Sequence, residues 1–123
     1  MKAKAVLFDE LGGPEVLYLK DFELGEPGLG DVRVRIDAFG LNRGDVLVRT
    51  GGYYYDAVLP ASRLGTEAAG VVEAVGPGVT GSAVGDAVSI VAKPNDDGMS
   101  AYGIYGDRVN VVLSGKFLPY KSY

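Results

Sequence analysis

The sequence predicts a mainly β domain with one short helical insert. Three observations carry that prediction. Apolar residues recur with period two along most of the chain. Clusters of Gly, Pro, Asn and Asp close every apolar run, among 19 glycines and 6 prolines in 123 residues. Helical spacing is confined to one stretch, Asn42 to Arg49. Short alternating strands with turn residues between them are the pattern of an all-β barrel or sandwich.

The elements follow in order. Ala3 to Phe8 reads as a first strand, ended by Gly12-Gly13-Pro14. Val16, Tyr18 and Lys20 alternate with Leu17, Leu19 and Asp21 in a second, ended by Gly25-Glu26-Pro27-Gly28. Asp31 to Ala38 is the clearest strand. Val32, Val34, Ile36 and Ala38 occupy one face and Arg33, Arg35 and Asp37 the other, so burying the first set exposes the second. Asn42 can cap a helix of about two turns in which Val46 and Arg49 follow at helical spacing and which Gly51 stops. Gly70 to Val75, Ala87 to Ala92 and Tyr105 to Leu113 read as further strands. No internal repeat, low-complexity tract or charge block interrupts them.

Composition excludes several functions. The chain has no histidine and no cysteine. It therefore cannot build a Cys/His zinc site, a His-ligated haem, a disulfide or a Ser-His-Asp triad. A net charge of −4 with scattered basic residues argues against nucleic acid as a partner. Met1-Lys2-Ala3-Lys4 leads only into a short apolar run broken by Asp9-Glu10, unlike a secretory signal. No stretch approaches the roughly 18 apolar residues of a transmembrane helix. The expectation is a cytoplasmic domain with no membrane partner.

Gly76-Pro77-Gly78-Val79-Thr80-Gly81 matches the dinucleotide-binding pattern GxGxxG, and Asp96 lies near the spacing that pattern wants for an acid. The pattern binds pyrophosphate because its last glycine opens a helix. Here the chain runs through Ser82-Ala83-Val84-Gly85-Asp86 straight into strand-like Ala87 to Val91, which leaves no room for that helix. The stretch reads as a loop between strands.

Three motifs in order carry more identity. They are Gly12-Gly13-Pro14-Glu15-Val16-Leu17, then Val34 to Asp45, then Leu64-Gly65-Thr66-Glu67-Ala68-Ala69-Gly70-Val71-Val72 continuing to Val84-Gly85-Asp86. Their order and spacing resemble the N-terminal GroES-like domain of medium-chain dehydrogenases/reductases, and within it the zinc-independent quinone oxidoreductase branch. The likeness runs from residue 1 to about 112. It weakens after Ile90, where Lys93 to Gly98 looks like a variable loop. Leu118-Pro119 resembles the segment that leads into the family's cofactor domain.

The resemblance implies a GroES-like, partly open β-barrel with one or two short helices and without its Rossmann domain. It implies a substrate-side domain, residues 1–123, of a longer two-domain enzyme that transfers hydride from NADPH to a quinone or an activated double bond. The zinc-dependent relatives place a cysteine and a histidine where this chain has Asn42 and Thr66, so no metal site is expected. Asn42 and Tyr53 are the candidate catalytic and cofactor-contacting residues, and Thr66 and Asp45 the candidate substrate-binding residues. Each has a plainer reading: Asn42 as a helix cap, Asp45 as a carboxylate at a helix N-terminus, and Tyr53-Tyr54-Tyr55 as cover for the barrel. Glu67 is expected to be structural, and Arg49 to pair with it or with a cofactor phosphate.

The chain ends at Tyr123 without the cofactor domain or the returning C-terminal segment that the resemblance implies. The expectation is a fragment, inert alone, whose unpaired strand edges favour a homodimer or looser self-association. Two rival readings stay open. One is a non-catalytic GroES-like binding or assembly module. The other is the enoyl-reductase domain of a polyketide or fatty-acid synthase.

Overall fold

A computed structural model of the chain describes residues 1–53, 56–91, 105–112 and 118–119. The strands are β1 (Lys2–Phe8), β2 (Leu17–Glu23), β3 (Asp31–Phe39), β4 (Ser62–Arg63), β5 (Glu67–Val75), β6 (Ala87–Val91), β7 (Arg108–Val112) and β8 (Leu118–Pro119). Among the described residues, one helix, α1 (Arg43–Thr50), lies between β3 and β4, and one 3₁₀ turn spans Pro14–Val16. The described strands form two antiparallel sheets, ordered β2-β1-β4 and β7-β3-β5-β6-β8, which do not close into a complete barrel.

The larger sheet exists because β3 and β5 alternate as the sequence demands. Val32, Val34 and Ile36 face inward and meet Ala68, Val72, Val88, Ile90 and Val109 in one apolar cluster. Arg33 lies on the outer face, though not in open water. Its Nε donates to Glu73 Oε1 at 3.0 Å, and Arg108 Nε donates to the same oxygen at 2.8 Å. A second cluster joins Phe8, Val48, Leu64 and Tyr105, with Tyr53 and Leu17 packed at its edge. Phe8 is buried although it lies opposite Leu7, because α1 covers that side of the β1 end through Val48.

One expectation about facing residues is corrected. Ala38 is exposed rather than inward, because β3 slips against β5 between Ile36 and Ala38. Asp37 is the extra residue of that bulge, and one extra residue moves everything beyond it to the other face. On α1 the inward residues are Asp45 and Val48, while Val46 is exposed. A polar carboxylate thus occupies the inward position that an apolar pattern assigns elsewhere.

The other boundaries shift modestly. β5 starts at Glu67 rather than Gly70, and β7 starts at Arg108, with Tyr105 in a bend before it. Ala92, Leu113, the expected loop Lys93–Gly98, and Tyr54 and Tyr55 lie outside the described residues. The GxGxxG stretch is indeed a loop: β5 ends at Val75, β6 begins at Ala87, and no helix lies between. Among the described residues, no helix is long and apolar enough to cross a membrane.

Candidate functional site

The site is built where β3 runs into α1. Asn42 is the N-cap of α1, with extended backbone at φ −119° and ψ 151°. The cap closes through the main chain and Asp45. The Asp45 N–H donates to the Asn42 carbonyl at 3.0 Å, and the Asn42 N–H donates to Asp45 Oδ2 at 3.0 Å. A carboxylate in the first turn also suits the positive end of the helix. The Asn42 side chain is exposed at the start of the helix.

Asp45 is buried, at 5% exposure. The same Oδ2 accepts a hydrogen bond from the Tyr105 hydroxyl at 2.6 Å. The Tyr105 ring in turn stacks on Phe39, with centroids 4.8 Å apart. Burial first, and then the bond to Asp45, hold the Tyr105 hydroxyl well above the usual phenol range, so it stays protonated and donates. Sequence reasoning missed Tyr105 as part of the site. Sixty residues separate the two partners, and no local pattern announces such a bond.

Gly51 ends α1 in the left-handed region at φ 84°, its N–H donating to the Leu47 and Val48 carbonyls. The chain then doubles back so that Tyr53 lies beside the start of the helix it has just left. A Cβ on Gly44 would sit 3.3 Å from the Tyr53 hydroxyl oxygen, which is why a small residue suits that position. Arg49 does not reach Glu67. Its Nε donates to the Gly12 carbonyl at 3.1 Å, and its own carbonyl accepts from the Gly12 N–H. Glu67 folds over Gly40, where its carboxylate fills the space a Cβ would need.

Asn42, Arg43, Gly44, Asp45, Tyr53 and Thr66 line one cavity of about 360 Å³. The structure therefore brings all four candidate residues together: Asn42 and Asp45 from the helix start, Tyr53 from the loop after it, and half-buried Thr66 from the approach to β5. Arg43 belongs to the same lining and was not singled out from the sequence. The structure also has an apolar groove of about 470 Å³. Its lining includes Ala38, Phe39, Gly40, Glu67, Ala68 and Ile90. The two linings adjoin in sequence, where Thr66 of the polar cavity precedes Glu67 of the apolar groove.

The far end of the Tyr53 loop is fixed by Asp9, which accepts from the Ala61 N–H at 2.9 Å and from the Tyr18 hydroxyl at 2.7 Å. The Tyr18 bond first, and then the Ala61 bond, lower the Asp9 pKa below its ordinary value. A depressed carboxyl pKa stabilises the fold above the unfolded value, and that contribution is lost as pH falls through the folded one. Between pH 5 and about pH 2, urea midpoints of the wild-type chain should fall more steeply than those of Asp9→Asn. Parallel curves would mean that Asp9 does not tie down the loop.

Residues 28–116 match the alcohol dehydrogenase GroES-like domain family. The chain is a GroES-like domain of that family. A quinone oxidoreductase of Pseudomonas aeruginosa is 48% identical over 92 residues, covering 75% of this chain and 28% of that relative. The structure of an Escherichia coli quinone oxidoreductase complexed with NADPH superposes with a TM-score of 0.80 at 34% identity, covering 97% of this chain and 33% of that one. A mycocerosic acid synthase-like polyketide synthase of Mycolicibacterium smegmatis is 42% identical over 99 residues, covering 80% of this chain and 4% of that protein. This GroES-like domain thus spans about a third of the quinone oxidoreductases it resembles. Among its described residues, no group of three or more His, Cys, Asp or Glu side chains could hold a metal ion.

Proposed function

We propose that this domain forms the substrate side of a zinc-independent, NADPH-dependent quinone oxidoreductase. The observation that carries the reading is the donor set of the polar cavity: the Asn42 amide, the Arg43 guanidinium, the Tyr53 phenol and the Thr66 hydroxyl, with no thiol or imidazole anywhere in the chain. Hard-to-polarise amide and hydroxyl groups do not make a catalytic zinc site, which takes its ligands mainly from Cys, His and carboxylate. The one carboxylate in the lining, Asp45, already accepts two hydrogen bonds.

The same donors suit a carbonyl oxygen that gains negative charge. NADPH, held in the cleft by a cofactor domain, supplies the hydride. The work of this chain is to orient the acceptor, to exclude water, and to offer N–H and O–H groups to the oxygen. Asn42 and Tyr53 are assigned that role, with Thr66 in the same lining and Asp45 holding the segment that carries Asn42. The apolar groove suits the ring of a quinone. The reaction needs no strong general base, because a reduced quinone takes its protons from solvent. A cytoplasmic location accords with a soluble cofactor.

The test is made in a joined protein, this chain followed by the cofactor-binding remainder of the Pseudomonas aeruginosa relative. Asn42→Ala and Tyr53→Phe should each lower kcat for quinone reduction, by about 100- to 1,000-fold, as the loss of a preorganised donor does. Unchanged kcat in both variants would remove these residues from the reaction. The polyketide synthase relative supports a second reading, reduction of a carrier-bound enoyl thioester at the same cavity. An enoyl thioester turned over in preference to quinones would favour it.

A further inference from the structure

We propose, resting on the assignment of Asn42 as a donor to the acceptor oxygen, that Tyr105 is a positioning residue of the reduction. Its hydroxyl acts through Asp45 to fix the segment from which Asn42 offers its amide. Tyr105 is not in the lining of the polar cavity, whereas Asn42 and Asp45 are. It therefore bears on the acceptor only through them.

Tyr105 is anchored before its hydroxyl is placed. Its N–H donates to the Leu64 carbonyl at 3.1 Å, and its carbonyl accepts from the Val6 N–H at 2.9 Å. Gly106 follows so close to β1 that a Cβ there would collide with the Lys4 carbonyl oxygen. The ring is buried, stacks on Phe39 with centroids 4.8 Å apart, and shares a cluster with Phe8, Val48 and Leu64. Main chain and ring are thus both held, which leaves the hydroxyl little freedom. A polar group on so rigid a frame can set the position of whatever it bonds.

What it bonds is the start of α1. The hydroxyl donates to Asp45 Oδ2 at 2.6 Å, and the same oxygen accepts from the Asn42 N–H at 3.0 Å. The Asn42 N–H also reaches the Tyr105 hydroxyl oxygen. One carboxylate oxygen therefore ties the Asn42 main chain to a side chain from the approach to β7. Asn42 needs such a tie, because β3 ends at Phe39 and α1 begins only at Arg43. The same anchor bears on a second residue of the lining, since Leu64, which accepts the Tyr105 N–H, lies just ahead of Thr66. Apolar groups of the same shape at both positions would fill this space without burying a carboxylate, at little or no cost in stability. What the Tyr105–Asp45 pair adds is a directed bond that fixes where Asn42 stands.

A double-mutant cycle in the joined protein separates positioning from mere support of the fold. Tyr105→Phe keeps the ring and removes the hydroxyl. Asn42→Ala removes the amide but keeps the N–H that Asp45 holds. Tyr105→Phe should lower kcat by about 10-fold and leave KM for the quinone within about twofold. In the Asn42→Ala background, where no amide remains to be misplaced, the same change should alter kcat by less than about twofold. Asp45→Asn weakens the bond from its other end and should follow the same pattern, so the outcome does not hang on one variant folding. A kcat that Asn42→Ala lowers but Tyr105→Phe and Asp45→Asn leave alone would overturn the positioning role. So would a cost of Tyr105→Phe that persists in full without the Asn42 amide. An unchanged kcat in Asn42→Ala would instead overturn Asn42 as a donor, and the positioning role with it.

Discussion

Asp45→Ala should lower the unfolding free energy by about 2–4 kcal/mol, the sum of a lost charge-assisted bond to a buried hydroxyl and a lost cap bond. The side chain is buried, and its Oδ2 serves both the Tyr105 hydroxyl and the Asn42 N–H. Removing it orphans the phenol in an apolar cluster with Phe8, Val48 and Leu64. Tyr105→Phe removes one of the two bonds and should cost about 1–2 kcal/mol. The raised Tyr105 pKa adds a signature in pH. A group whose folded pKa exceeds its unfolded value stabilises the fold below the unfolded value, about 10 for tyrosine, and loses that contribution as pH rises further. Urea midpoints between pH 9 and 11 should therefore fall more steeply for the wild type than for Tyr105→Phe. A fully stable Asp45→Ala would show that the segment carrying Asn42 holds itself.

Gly70→Ala is expected to cost about 3 kcal/mol, at the upper end for overpacking. A Cβ at this position collides with the backbone carbonyl oxygen of Arg35 and lies 3.0 Å from Cγ1 of fully buried Val34. No rotamer change relieves a clash with main chain, so β3 and β5 must separate where Ile36 pairs with Gly70. The bulge follows immediately, and beyond it the chain leads to Asn42. Gly70→Ala should thus loosen the site as well as the sheet, and Gly70→Val more so. A melting temperature within a degree or two of wild type would contradict the close approach of the two backbones.

Much of the fold is legible because it depends on neighbours in sequence. The alternation of Val32, Val34 and Ile36 marks β3, and the pairing of Asn42 with Gly51 marks both ends of α1. What escaped depends on distant neighbours. Nothing about Asp37 distinguishes a bulge residue from an ordinary strand residue, and so Ala38 was placed on the wrong face. Inward-facing Asp45 breaks the rule that inward residues are apolar, and its reason, Tyr105, comes from the approach to β7. Gly70 carried a usable hint, since a glycine inside a strand often marks close approach of another backbone. Of the site, only family likeness selected Asn42, Tyr53 and Thr66. They lie on separate segments, and the chain reversal at Gly51 is what brings Tyr53 back beside the start of α1. Arg43 stands beside Asn42 in the same turn, where a basic residue looks like ordinary helix surface.

A domain that completes a metal-free hydride-transfer site must work without any bound cation. The most direct test is NADPH-dependent quinone reduction by the joined protein after exhaustive dialysis against a chelator, with NADPH binding followed in parallel. Turnover should be unchanged by the chelator and should not rise on addition of zinc. A joined protein that binds NADPH yet leaves the quinone unreduced, or whose turnover is lost to the chelator and restored by zinc, would contradict such a site.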